Sequence, residues 1–107
     1  MIKEFPIIKL HKGATTIVEF DLTDFDFQGG YVMLTIKDAK ENIIKEQRLD
    51  FKGINQVMFT DEFTANFKVG KGNYKYDLMW HIDNERFAQC LPSNIDVYST
   101  VGGKENA

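Results

Sequence analysis

The sequence predicts an all-β domain, and three observations carry that prediction. Short apolar runs with period-two alternation recur along the 107 residues, each bounded by Gly, Asn or Asp turn signals. No stretch sustains a 3.6-residue apolar pattern long enough for a core helix. Only two prolines, with nine Phe among the 13% of residues that are aromatic, supply a well-filled core. A chain of this length buries roughly two thirds of its surface around a single core. Residues 1–101 therefore read as one domain, and 102–107, "GGKENA", as a tail with nothing to bury.

The first strand is expected over 5–11, and "HKGAT" turns it into "TTIVEFDL". There Thr16, Val18, Phe20 and Leu22 share a core face, and Ile17, Glu19 and Asp21 the mostly solvated one. "TDFDFQGG" is a loop. "YVMLTIKD" follows, with Val32, Leu34 and Ile36 inward and Tyr31, Met33, Thr35 and Lys37 outward. "DAKEN" is a hairpin turn. The most polar strand, "IIKEQRLDF", is expected to lie beside the next, which carries Val57 and Phe59, as a pair at a sheet edge. In "TDEFTANFKVGKG" Thr60 or Asp61 caps a short helical turn that places Phe63 and Phe67 four apart. A long strand over 74–82, a turn at "DNE", a strand over 87–91 and a last strand with Ile95, Val97 and Tyr98 complete about seven to eight strands.

The stretch "GKGNYKYDLMW" narrows the fold class. Tyr74, Tyr76, Leu78, Trp80 and Ile82 share one strand face and are expected at the centre of the core. A tyrosine that opens a strand just after a tight turn lays its ring on the core and turns its hydroxyl back to the loop backbone, the tyrosine corner of immunoglobulin-like domains. Tyr74 is placed to do this. Tyr76 takes the position of the second disulfide cysteine of antibody domains, so packing alone has to hold this one. The expectation is an immunoglobulin-like antiparallel β-sandwich.

Charge and cysteine usage narrow the function classes. Sixteen acidic and thirteen basic residues, net charge -3, are spread along the chain without a Lys/Arg block that could follow a phosphate backbone. Nucleic acid is not expected as a partner. Cys90 is the only cysteine, which excludes an internal disulfide framework and fits synthesis in a reducing cytoplasm. Charged and polar residues interrupt the apolar runs of the first twenty positions, so neither a signal peptide nor a membrane span is expected.

The candidates for chemistry are few. Asp21, Asp24 and Asp26 in "DLTDFDF" carry the hard oxygens calcium takes, but not the glycine-containing twelve-residue loop or closing glutamate of an EF-hand, and read as a solvated turn. His11 and His81 have no second ligand at zinc spacing. Cys90 with His81 is the sole nucleophile–base pairing to consider, and a cysteine between Gln89 and Leu91 reads as a small core residue. Asp61 and Glu62 read as the acidic first turn of a capped segment. No catalytic residue, metal or cofactor is expected. Alternation leaves Tyr31, Met33, Met58 and Met79 on outer faces, where adaptable methionines gathered on one surface suit protein contacts.

Three segments resemble small β-sandwich domains of bacteriophage and prophage structural proteins of the tail or baseplate type. "HKGATTIVEFDLTDFDFQGGYVMLTIKD" is similar to that family's opening, "VMFTDEFTANFKVGKGNYKYDLMW" with its Gly72, Tyr74, Tyr76 and Asp77 to its middle, and "RFAQCLPSNIDVYSTV" to its close. The resemblance implies an immunoglobulin-like sandwich made in the bacterial cytoplasm and built into a virion. Such a domain is non-enzymatic and docks on other virion proteins or on copies of itself. The alternative class is an adhesion module for carbohydrate or a host-surface receptor. That module needs two aromatic rings exposed together, whereas a structural subunit needs a flat apolar patch or an unpaired edge.

Overall fold

Alternating apolar residues produce alternating burial along most strands, and the described residues form eight strands and one helical turn. The computed structural model describes residues 6–23, 29–50, 53–88 and 92–99. Its elements are β1 (Ile8–His11), β2 (Thr16–Asp21), β3 (Tyr31–Asp38), β4 (Ile43–Leu49), β5 (Ile54–Phe59), α1 (Asp61–Thr64), β6 (Gly70–Ile82), β7 (Glu85–Ala88) and β8 (Ser93–Tyr98). The protein is all-β.

Six strands form one sheet in the order β1-β8-β6-β3-β4, with β7 pairing β6, and β2 with β5 forms a second sheet of two. Inward side chains of both sheets meet in one core: Val32, Leu34 and Ile36 from β3 and Tyr76 and Leu78 from β6 join Phe20, Val57 and Phe59 from the smaller sheet. The Phe20 and Tyr76 rings meet edge to face at 5.7 Å, the offset arrangement aromatic quadrupoles favour.

Turn chemistry agrees with sequence at the hairpins. The Asp38 carboxylate accepts the backbone N–H groups of Lys40 and Asn42, at 2.9 and 3.0 Å, and so closes the β3–β4 turn. Asp83 and Asn84 take the left-handed φ values of 50° and 64° that a tight two-residue hairpin between β6 and β7 requires. Gly30 enters β3 at φ 75° with its backbone against β6, where a Cβ would lie 2.1 Å from the His81 carbonyl oxygen, so only glycine fits.

Three expectations are corrected. Pairing is not antiparallel throughout, because β1 runs parallel to β8. No hairpin joins these two, so the intervening domain serves as the long crossover that a parallel pair needs. Nor do β4 and β5 pair with each other, since β4 pairs β3 and β5 pairs β2. The chain changes sheets between them: the Asp50 N–H donates to Asn55 Oδ1 and Asn55 Nδ2 donates to the Asp50 carbonyl, with Gly53 at φ 78°. Trp80 and Ile82 are half-buried rather than central to the core. The thirteen-residue β6 outruns the six-residue strands of the smaller sheet, and burial falls off along it beyond Leu78. The predicted first strand begins at Ile8, and Phe5 lies outside the described residues, as do 102–107.

Candidate docking surface

The corner bond predicted at Tyr74 is present and joins β6 to the segment after α1, although β6 already begins at Gly70, so the expected glycine turn is part of the strand and Tyr74 is its fifth residue. The Tyr74 hydroxyl accepts the Lys68 N–H at 2.8 Å, and its ring stacks on Phe67 at 4.4 Å, which meets Phe63 at 5.0 Å. Thr60 caps α1 by accepting the Phe63 N–H, as its hydroxyl chemistry dictates. Thr64 Oγ1 donates to the Ala14 carbonyl and Lys12 Nζ to the Phe67 carbonyl, both at 2.9 Å. A groove of about 450 Å³ lies between this corner and the β3–β4 turn. Phe67 and Tyr74 in its wall are only 3% and 8% exposed, so their ring faces serve packing and are not offered to a ligand.

Two aromatic groups occur elsewhere. On the inward face of β6 and β7, Trp80 and Phe87 are cross-strand partners with ring centroids 5.3 Å apart and planes tilted by 39°. The Trp80 indole N–H is used internally, donating to the Gly29 carbonyl at 2.7 Å. On the outer face of the larger sheet Tyr31 stacks on His81 at 4.9 Å and 9°. The Arg48 guanidinium lies 3.7 Å from the Tyr31 ring centre, close enough for a cation–π contact. Met33 faces Met79 across the same strands, and both are half-buried.

The smaller sheet differs. Ile17 and Met58 are direct cross-strand partners, each 54% exposed, and Ile54 on the same face is 59% exposed. Their polar neighbours Glu19 and Gln56 are joined by a 3.3 Å hydrogen bond from Gln56 Nε2. Among the described residues no third strand lies beside β2 or β5. The methionines therefore do not gather on one surface: Met58 stands on the small sheet, while Met33 and Met79 cover each other on the large one. Alternation already placed Ile17 on this face. Ile54 was missed because it opens its strand directly after a turn.

The remaining candidates do not converge. Asp21 Oδ1 accepts the Thr23 N–H and hydroxyl, at 3.0 and 2.6 Å, as a carboxylate in a local turn does. Asp24, Asp26 and Cys90 lie outside the described residues, so the calcium reading and the pairing of Cys90 with His81 do too. His11 is on β1 against Tyr98, two strands away from His81 on β6. Asp61 Oδ1 accepts the Glu62 N–H in the first turn of α1. Among the described residues no three His, Cys, Asp or Glu side chains are grouped to hold a metal, and no helix is long and apolar enough to cross a membrane.

Two buried or half-buried carboxylates were not among the candidates for chemistry in the sequence. Burial pushes the Asp77 carboxyl above its ordinary value, opposed in part by Lys37. Asp96 is 6% exposed, and its Oδ1 has no hydrogen-bond partner among the described residues, although alternation between Ile95 and Val97 assigns it to the outer face. It lies on β8 opposite the register shift between Gly70 and Tyr74. Compared with known proteins, the chain matches no family model, no curated protein and no solved structure.

Proposed function

We propose that this chain is a non-enzymatic docking module with an immunoglobulin-like sandwich fold, and a structural component of a phage or prophage virion of the tail or baseplate type. The observation that carries the docking role is the outer face of the β2–β5 sheet. It holds Ile17, Ile54 and Met58, each more than half exposed, on a sheet too narrow to cover its own apolar residues. An apolar patch on a flat sheet is the kind of surface that protein partners cover. The immunoglobulin-like reading is supported by the long β6 with β3 and β8 on its two sides, by the separate β2–β5 pair, and by the tyrosine corner at Tyr74. The virion context rests on the resemblance of the three segments, and its partners are other virion proteins or copies of the chain.

The adhesion reading draws on one observation, the Trp80–Phe87 pair. It fits less well, because Trp80 spends its N–H on Gly29 and the two rings do not form a common plane. A photo-crosslinking side chain at position 58, compared with one at position 33, decides between them in cells assembling particles. Docking through the small sheet yields a cross-link from 58 to a virion protein and none from 33. Particles lacking the chain, together with glycan binding lost on Phe87→Ala, would replace this reading with the adhesion one.

A further inference from the structure

The second edge of interest is β4, which closes one side of the six-stranded sheet and has no partner beyond it among the described residues. Its outer-face residues Glu46 and Arg48 are both exposed and two positions apart, with the half-buried Gln47 between them pointing inward. Among the described residues the Glu46 side chain makes no hydrogen bond or ion pair. Arg48 has its guanidinium laid over Tyr31 at 3.7 Å, which places the charge on the outer face, and among the described residues its N–H groups make no ion pair.

We propose that β4 pairs antiparallel with β4 of a second copy, on a two-fold axis through Gln47, joining two six-stranded sheets into one. Among axes through the middle of β4, from Lys45 to Arg48, the charge pattern selects this arrangement. In a two-fold antiparallel pair that keeps the same sheet face on the same side, residues equidistant from the axis lie opposite each other. With the axis at Lys45, Glu46 or Arg48, that residue meets its own copy, which like charges disfavour. With the axis at Gln47, Glu46 faces Arg48 of the second copy and Arg48 faces Glu46 of the second copy, so both outer-face charges are paired twice over. The two Gln47 side chains meet on the inner face, where each amide is both donor and acceptor for the other. Lys and Glu on an edge strand commonly serve to repel other strands. Here the signs alternate on one face around a neutral centre, which makes the edge complementary to itself. This contact lies on the other sheet from Ile17 and Met58 and does not depend on what covers them.

Sedimentation equilibrium of the full chain, over a concentration series at low and high salt, tests the pairing. The expected result is a dimer that weakens with salt. Glu46→Arg or Arg48→Glu alone sets like charges opposite each other at both contacts and should weaken the dimer more than about tenfold. The double exchange E46R/R48E restores both pairs and the dimer. An equimolar mixture of the two single variants is also complementary at both contacts and should form a heterodimer. Because Arg48→Glu also loses the Tyr31 contact, Gln47→Cys in a Cys90→Ser background provides a second route. The introduced thiols face each other across the axis and should give a disulfide-linked dimer on mild oxidation. A wild-type chain that stays monomeric at the highest concentration overturns the proposal. So does a dimer indifferent to the single reversals, or a folded Gln47→Cys variant that does not cross-link.

Discussion

The two outer faces of this domain treat their apolar residues in opposite ways. On the inner strands β3 and β6 of the six-stranded sheet the outward apolar side chains have neighbours, Met33 beside Met79 and Tyr31 between His81 and Arg48, whereas Ile43 on the edge strand β4 is 54% exposed. On the two-stranded sheet Ile17, Ile54 and Met58 have only one another and are more than half exposed. The residue types are similar, and the difference is sheet width. A strand flanked on both sides has cross-strand neighbours on two sides for its outward residues, whereas a strand flanked on one side has them on one side only. Apolar residues left bare by the architecture mark where a partner can gain most by covering them.

The largest difference between the two faces of β5 is at the shared core. Phe59 and Met58 are adjacent on β5, yet Phe59 is fully buried and Met58 exposed. Phe59→Ala should cost about 3–5 kcal/mol in a denaturant titration, and Met58→Ala less than about 0.5. Comparable losses at both positions would mean that the outer face of the small sheet is already covered within the chain.

A charge on each face sharpens the contrast. Met33→Glu pushes a carboxylate into the half-buried row beside Met79 and should destabilise by about 1–3 kcal/mol. Met58→Glu should leave the unfolding midpoint nearly unchanged while reducing incorporation of the chain into particles. Equal tolerance of both substitutions would erase the distinction between the faces.

The tyrosine corner tests what holds the two faces to one body, because Tyr74 on β6 is bonded to the segment that follows β5 and α1. Tyr74→Phe keeps the stack on Phe67 and loses only the bond to the Lys68 N–H. It should cost about 0.5–2 kcal/mol. A thermal melt of the Phe variant that overlays the wild type would show that the ring alone makes the corner.

The smallest effects are on pH dependence and have opposite signs at two carboxylates of the large sheet. Burial raises the Asp77 carboxyl above its ordinary 3.8. Its folded form therefore holds a proton that the unfolded chain releases, and stability falls as pH rises from that value through the raised one. Asp77→Asn should flatten this decline. Asp38 is held below 3.8, chiefly by the hydrogen bond from the Asn42 backbone N–H, with the one from Lys40 adding to it. The stability it contributes is lost as pH falls through its lowered value, and Asp38→Ala should remove that acid limb. Denaturation midpoints across the acidic range that run parallel for wild type and Asp77→Asn would contradict the assignment to Asp77.

Much of this architecture was legible in the chain because burial follows local alternation. Val32, Leu34 and Ile36 in "YVMLTIKD", the cap at Thr60 and the corner at Tyr74 each depend on residues within a few positions of one another, so pattern and chemistry specify them before any tertiary contact forms. Which strands become neighbours does not follow from local pattern. "IIKEQRL" and "INQVMF" read as successive strands of one edge, yet β4 and β5 part at the Asp50–Asn55 turn and join different sheets. Strand partners are chosen by packing between segments distant in sequence, as with the parallel β1–β8 pair formed from the two ends of the described chain. The same holds for exposure. Alternation assigns Ile17, Met33, Met58 and Met79 to outer faces, and Asp96 as well. Only the assembled sheets decide that Met33 and Met79 shelter each other, that Asp96 is enclosed, and that Ile17 and Met58 stay bare. The sequence by itself determined the direction in which each side chain points, because the backbone of a strand turns successive residues to opposite sides. The tertiary structure decided what, if anything, each side chain meets there, because that depends on how many strands stand beside it.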